Sequence, residues 1–231
     1  MPTERTQLRM TLIVLNFKTY RESTGQEAVR LAQICEDIAR DYSVQMAVVP
    51  QVADISGISK AVKIPVFAQH VDGVGYGGFT GHITAASLKA AGASGSLINH
   101  SERRLKLAEI DASIVACRAA GMKMIVCTNN VATTRAAASL GPDYVAVEPP
   151  ELIGSGIPVS KADPEVVTKS VEAVKRIAPN VEVLCGAGIT HGEDLKAALE
   201  LGSVGVLLAS GIIKAKDQRK ALEDLVTGVA K

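Results

Sequence analysis

The chain has 231 residues, 47% of them hydrophobic and 21% charged, which is ordinary for one large globular domain with a full core. Its net charge of +1 argues against a nucleic-acid-binding face or a role at a membrane surface. Aromatic residues make up 3% with no tryptophan, so platforms on which bases stack are not expected, and no apolar stretch approaches the roughly 20 residues that span a bilayer.

The first ten residues lack the apolar core of a secretion signal, which favours a cytoplasmic location. Residues 1–9 precede Met10 and are expected to be disordered or untranslated. The cysteines form no Cys-x-x-Cys pair and are predicted to be buried free thiols. They are Cys35, Cys117, Cys127 and Cys185.

Eight short apolar runs, most of them rich in β-branched residues, recur along the chain and predict strands. They are residues 11–15, 46–49, 66–68, 95–98, 124–127, 144–147, 181–184 and 205–208. Most are continuous rather than alternating, as expected for strands that are buried on both faces.

Amphipathic segments between these runs predict helices at residues 26–40, 164–177, 192–202 and from 216 to about 226. Asp163 and Pro164 supply an N-cap and a first-turn proline, and Gly202 a C-cap. Because the chain is short for eight strand-helix units, some helices must be trimmed. The shortened helices are predicted around residues 101–120 and 130–140.

Eight strand-helix repeats predict an α/β fold, a closed (β/α)8 barrel that occupies residues 1–231 as one domain. The alternative is an open doubly wound sheet. The glycine-rich stretch from Gly73 to Gly78 lacks the Gly-x-Gly-x-x-Gly spacing and no helix opens directly on it, so a dinucleotide-binding fold is disfavoured.

Polar residues stand where predicted strands end. Glu148 closes a buried strand and is followed by two prolines, a poor position for a merely structural carboxylate. Asn16 and Lys18 follow the first strand, and His100 follows the fourth. Strand ends converge at one mouth of a barrel, so these residues predict a site that holds a base, a hydrogen-bond donor and a cation.

Two glycine-containing turns favour an anion site near the same mouth. Gly186-Ala-Gly188-Ile189 follows the seventh strand, and Ala209-Ser210-Gly211 follows the eighth. Small residues let backbone N–H groups approach a phosphate closely, although tight strand-helix packing would also account for them. The proline- and glycine-rich segment 149–161 has the composition of a hinged lid; the alternative is an ordinary surface loop.

The remaining histidines, His70, His82 and His191, show no metal-ligand spacing with one another or with the cysteines, so no metal site is expected.

Several motifs, in order from about residue 12 to 228, together resemble the triosephosphate isomerase family. They are Asn16-Phe-Lys18, Asn99-His100-Ser101-Glu102-Arg103, Val147-Glu148-Pro149-Pro150, Ile153-Gly154-Ser155-Gly156, and Gly186-Ala-Gly188-Ile189 with Gly205 to Ser210. The short length and the Pro-Pro-Glu-Leu-Ile lid resemble the archaeal branch, whose barrel is a short version of the fold. The bacterial and eukaryotic lid carries a tryptophan that this chain lacks.

The resemblance implies interconversion of dihydroxyacetone phosphate and D-glyceraldehyde 3-phosphate, without a cofactor, in glycolysis and gluconeogenesis. It implies that Glu148 is the base and His100 the electrophile, with a helix beginning near Ser101 and Glu102 to hold the imidazole neutral. Lys18 and Asn16 would position the substrate, and Glu102 would pair with Lys18 before substrate binds. The residues expected to contact the phosphate through backbone groups are Ile153, Gly188, Ala209 and Ser210.

The resemblance also implies a homo-oligomer, because residues 69–82 correspond to the family's interface loop. A dimer core is expected, and the archaeal resemblance favours a tetramer. Two competing interpretations remain. One is another phosphate-binding barrel enzyme acting on a sugar or thiazole phosphate, which would not need Asn16, Lys18, His100 and Glu148 together. The other is a non-catalytic barrel that serves only in assembly.

Overall fold

The eight strands form one parallel sheet in a computed structural model that describes residues 11–149, 152 and 157–228. The strands are β1 (Leu12–Asn16), β2 (Gln45–Val49), β3 (Phe67–Ala68), β4 (Gly95–Ile98), β5 (Lys123–Thr128), β6 (Tyr144–Val147), β7 (Glu182–Gly186) and β8 (Gly205–Leu208). Residues 1–9, expected to be disordered or untranslated, lie outside the described range.

The sheet closes on itself. Its order is β2-β1-β8-β7-β6-β5-β4-β3, and an isolated parallel bridge between Val48 and Val66 joins the two ends. The Val48 N–H donates to the carbonyl of Pro65 at 3.0 Å. The prediction of a closed (β/α)8 barrel is therefore confirmed, and the open doubly wound sheet was wrong.

Helices follow the strands on the outside of the barrel, with a short 3-10 turn at Arg21–Ser23. They are α1 (Gln26–Tyr42), α2 (Ile55–Ala61), α3 (Ala85–Ala90), α4 (Leu107–Ala119), α5 (Val131–Ala138), α6 (Val159–Ala162), α7 (Pro164–Ile177), α8 (Gly192–Glu200), α9 (Ser210–Ile213) and α10 (Gln218–Thr227). In the described part of the chain, no helix is both long enough and apolar enough to cross a membrane.

The predicted trimming of the helices is partly wrong. The segment after β4 holds α4, which has 13 residues and is not shortened. The segment after β5 holds α5, which has eight residues and is short as predicted. Apart from the four-residue α6 and α9, the shortest described helices are instead α2 and α3, with seven and six residues. Each lies beside the two-residue β3, where little strand is available for a helix to cover.

The buried residues form two shells because successive side chains of a strand point to opposite faces. Ile13 and Leu15 pack outward against the helices, whereas Leu12 and Val14 fill the barrel interior. In β6, Ala146 points inward between outward-facing Val145 and Val147. The next inward positions are Asn16, the last residue of β1, and Glu148, directly after β6, so strand alternation alone directs both toward the barrel mouth.

Candidate active site

Seven of the eight predicted site residues line one cavity of about 320 Å³ at the carboxyl ends of the strands. They are Asn16, Lys18, His100, Glu148, Gly188, Ala209 and Ser210. The eighth, Ile153, lies outside the described residues, together with the glycine-containing tip of the predicted lid. The volume is in the range of sites that bind small molecules.

Glu148 extends from β6 with only 5% of its surface exposed. Its Oε2 atom has no hydrogen-bond partner among the described residues. Burial raises the pKa of this carboxyl group above its usual value, while the nearby His100 and a hydrogen bond with the Cys127 thiol act in the opposite direction. A buried carboxylate with a raised pKa and a free oxygen facing a cavity is suited to take up a proton.

His100 faces the same carboxylate, with its Nε2 atom 3.8 Å from Oε2 of Glu148. The backbone N–H of Glu102 donates to Nδ1 of His100 at 3.2 Å. An Nδ1 that accepts a hydrogen bond carries no proton, so in the neutral ring the proton is on Nε2, which points into the site.

The N–H group that donates to His100 belongs to a turn and not to a helix. The prediction that a helix begins near Ser101 and Glu102 is wrong, because these residues form a turn and α4 begins at Leu107. Asn99, whose φ is 63°, bends the chain directly after β4, and its Oδ1 accepts the N–H of Leu105 at 2.8 Å. The backbone amide of Glu102 therefore contacts Nδ1 where a helix dipole was predicted, and Oε2 of the same residue lies 3.5 Å from that nitrogen.

Lys18 lies in a constrained backbone conformation, with a φ of 48° that non-glycine residues rarely adopt. Oδ1 of Asn16 accepts the Lys18 N–H at 3.0 Å, and the Gln69 side chain donates to the Lys18 carbonyl at 2.8 Å. The Lys18 ammonium lies 2.9 Å from Oε1 of Glu102. The pairing of Lys18 with Glu102 is therefore present. The Asn16 side chain holds the main chain of Lys18 in place.

The two predicted anion-binding turns adjoin each other at the opposite wall of the cavity. Ala187 and Gly188 both have positive φ, at 74° and 72°. A Cβ atom on Gly188 would lie 1.9 Å from the carbonyl oxygen of Ile157, so only glycine fits. The turn after β7 thus packs directly against the segment that leads out of the predicted lid.

An acidic side chain fixes that turn in place. The buried Asp194 carboxylate accepts the N–H groups of Thr190 and His191 at 3.1 and 3.0 Å. Its other oxygen lies 2.9 Å from the ammonium of Lys161, at the end of the predicted lid segment. Asp194 therefore connects Lys161, at the end of the predicted lid segment, with the turn after β7 and the start of α8.

Sequence reasoning missed three residues that shape the site. Cys127, predicted only as a buried thiol, is the next-to-last residue of β5 and lies beside Glu148. Gly186 was assigned to the anion turn, yet a Cβ atom there would lie 2.4 Å from Cγ of Glu148. Lys214 lines the cavity one helical turn beyond Ser210. The position of Cys127 at a strand end was the one signal that could have pointed to it.

The raised pKa of Glu148 leads to a prediction about pH. A carboxylate is a base only when deprotonated, so kcat/KM should begin to fall at a higher pH than an exposed glutamate would give. Steady-state rates measured on the acid side, with circular dichroism to confirm that the protein stays folded, would test this. An acid limb centred at or below the ordinary value of 4.5 would contradict it.

These features define a (β/α)8-barrel site for proton transfer on a small anionic substrate, with the base, the donor and the cation on different strand ends. Over residues 11–228 the chain matches the model of the family described as triosephosphate isomerase. The chain therefore belongs to the triosephosphate isomerase family.

Curated relatives of the same name are archaeal, as the lid sequence indicated. The one from Methanosarcina barkeri is 62% identical over 217 residues, covering 94% of this chain and 98% of the relative. The one from Methanococcoides burtonii is 66% identical over 216 residues, with 94% and 98% covered. Against these matches, the interpretation as a different phosphate-binding barrel was wrong.

A solved structure supports the fold. The crystal structure of triosephosphate isomerase from Bartonella henselae matches with a TM-score of 0.75 and covers 94% of this chain and 99% of that one. At 20% sequence identity, this similarity shows the barrel fold alone.

Proposed function

We propose that the cavity interconverts dihydroxyacetone phosphate and D-glyceraldehyde 3-phosphate through an enediolate. The observation that carries this proposal is the buried Glu148 carboxylate, whose unpartnered oxygen lies 3.8 Å from Nε2 of His100 in a cavity that also holds Lys18. A base, a neutral donor and a cation around one small cavity are what proton transfer between two oxygen-bearing carbons needs.

In the forward direction, Glu148 takes a proton from the hydroxymethyl carbon beside the ketone. The electron pair left on that carbon forms the carbon–carbon double bond of the enediolate, and the carbonyl oxygen becomes negatively charged. The Nε2–H of His100 and the ammonium of Lys18 stabilise this oxygen. Proton transfers between the two oxygens follow, and Glu148 then returns its proton to the neighbouring carbon, which yields the aldehyde.

The division of roles between a carboxylate base and a neutral imidazole is the established pattern for this family. Here the hydrogen bond from the Glu102 amide to Nδ1 of His100 supports it, because that bond leaves Nε2 protonated. The turns after β7 and β8 would hold the phosphate through the backbone of Gly188, Ala209 and Ser210. Ile153 keeps its expected role as a further phosphate contact.

Replacing Lys18 with alanine should raise KM and lower kcat together, with a combined loss in kcat/KM of about 100-fold or more, because a charge near the developing oxyanion disappears. Steady-state kinetics in a coupled assay measure both constants. The matched control is Lys60→Ala, an exposed lysine at the end of α2, which should leave both unchanged. Wild-type KM and kcat in Lys18→Ala would rule out the role.

The proposal includes a homo-oligomer. Tyr76 is 92% exposed and Phe79 is 44% exposed in the loop between β3 and α3. Large apolar side chains displayed on one loop are typical of a surface that binds another subunit. Leu107 and Val115 on α4 are also more than half exposed, which supports a second contact surface and hence the tetramer over the dimer.

A cytoplasmic location also belongs to the proposal. All four cysteines are free and buried, as predicted, and buried thiols are typical of a reducing compartment.

A further inference from the structure

Lys214 lies at the edge of the cavity opposite Lys18. It follows α9, and its N–H donates to the Ser210 carbonyl at 3.1 Å. Ser210, Gly211 and Lys214 line the same cavity. Positions four apart on a helix share one face, so Lys214 stands on the same side of this segment as Ser210.

An aromatic ring holds the Lys214 ammonium. Its Nζ atom lies 4.6 Å from the ring centroid of Tyr20. Tyr20 follows β1 and is far from Lys214 in the sequence. A cation over an aromatic face is stabilised without being neutralised, in contrast to a lysine in an ion pair. Among the described residues, no carboxylate lies within ion-pairing distance of this ammonium. Lys214 is thus held in place at the edge of the cavity without a carboxylate partner among the described residues.

The charges around the cavity show what a second cation contributes. Lys18 pairs with Glu102 at 2.9 Å, and Glu148 adds a further carboxylate to the same cavity. The charge of Lys18 is therefore partly offset by two carboxylates, and Arg104, which acts on Glu148 from outside the cavity lining, is a further cation on that side. Among the described lining residues, Lys214 is the other lysine or arginine. Lys214 therefore makes this cavity more favourable for a phosphate dianion.

From this geometry we infer that Lys214 is a binding residue for the phosphate dianion of the substrate and that Tyr20 is its positioning residue. This inference rests on the proposed function, since it assigns a ligand group to the same cavity. It adds a side-chain cation to a phosphate site otherwise built from backbone groups.

The test measures anion binding and turnover separately. Inorganic phosphate is titrated calorimetrically into the wild type, Lys214→Met and Lys216→Met at low ionic strength. Lys216 is an exposed neighbour that does not line the cavity, so Lys216→Met is the matched control. Lys214→Met should bind phosphate about tenfold more weakly, while the control should match the wild type.

Kinetics give the second readout. With D-glyceraldehyde 3-phosphate, Lys214→Met should raise KM about tenfold and change kcat little, since Lys214 touches the phosphate and not the reacting carbons. With unphosphorylated glyceraldehyde, the rates of the wild type and Lys214→Met should be equal. Equal phosphate affinity in Lys214→Met and the wild type, or equal weakening by Lys214→Met and Lys216→Met, would overturn the inference.

Tyr20 is tested by conservative rescue. Tyr20→Leu should weaken phosphate binding by about threefold, and Tyr20→Phe should restore it, because a phenyl ring also holds a cation. Equal losses in Tyr20→Leu and Tyr20→Phe would overturn the role of Tyr20. A wild-type protein that binds phosphate but does not turn over triose phosphates would contradict the proposed function. The comparison of phosphate affinity between the wild type and Lys214→Met would still test the role of Lys214.

Discussion

Replacing Glu148 with aspartate should lower kcat by about 100-fold or more, because the shorter side chain draws the carboxylate away from the reacting carbon. The fold should persist. Among the described residues, Glu148 forms no ion pair shorter than the 3.8 Å contact with His100, and its Oε2 atom has no hydrogen-bond partner. The one hydrogen bond that a shorter side chain would lose is that with the Cys127 thiol, so little structure depends on its reach. A coupled assay for triose phosphate interconversion gives kcat, and thermal unfolding followed by circular dichroism reports on the fold.

The matched control for Glu148→Asp is Glu182→Asp. Glu182 is the first residue of β7, at the opposite end of the barrel, and it is exposed. The same loss of one methylene there should leave kcat at the wild-type value. A Glu148→Asp variant that retains near-wild-type kcat would remove the assignment of the base, whatever the result for the control.

Gly186→Ala should lower kcat by about 100-fold while the barrel remains folded. A Cβ atom at this position would lie 2.4 Å from Cγ and 2.9 Å from Oε1 of Glu148. The atoms that must give way are those of a side chain, so the expected response is a displaced carboxylate and not a broken strand. The comparison of kcat with the unfolding temperature separates these two outcomes.

Gly57→Ala provides the control for Gly186→Ala. Gly57 lies within α2, and a Cβ atom added there would meet nothing within 4 Å. Alanine is the better helix former, so this variant should be slightly more stable, by about 0.5–1 kcal/mol, with unchanged kcat. If Gly186→Ala turns over substrate as fast as Gly57→Ala, the carboxylate does not depend on the space that Gly186 leaves.

Much of the barrel follows from local patterns in the chain. The predicted strands 95–98, 144–147 and 205–208 agree with β4, β6 and β8, because short and mostly apolar runs between turn-forming residues leave few alternatives. The helix predicted at 164–177 agrees with α7, where the side chain of Asp163 accepts the Val166 N–H at 3.2 Å. Local chemistry sets both ends of such elements.

Other features depend on strand register, which no local pattern reveals. The contacts of Glu148 with Cys127 and Gly186 arise because β5, β6 and β7 pair at the particular offsets that bring Thr128, Val147 and Cys185 side by side. A shift of two residues in register would keep every inward side chain inward, but it would move Cys127 and Gly186 away from Glu148. Barrel closure selects the offset, and closure involves all eight strands at once.

The site shows the same division. Glu148 and Asn16 could be predicted from their positions at strand ends. The donor to His100 could not, because the bend at Asn99 replaces the expected helix with a turn. Lys214 also escaped prediction. Its contact with Tyr20 joins the first and the last strand-helix units of the barrel, and no local sequence pattern around either residue indicates the other.

The strands of the barrel are not joined equally well to their neighbours, and this affects how activity is lost on heating. One bridge, Val48 with Val66, joins β2 to β3 in the described structure. Beside it, the Gln69 amide donates to the carbonyls of Val49 and Lys18. If warming opens this junction first, Lys18 loses the Gln69 contact to its carbonyl, one of its two main-chain contacts in the described part of the chain, while the other strand pairs stay intact. Heat inactivation of such an enzyme would begin as a local event and precede the melting of its helices.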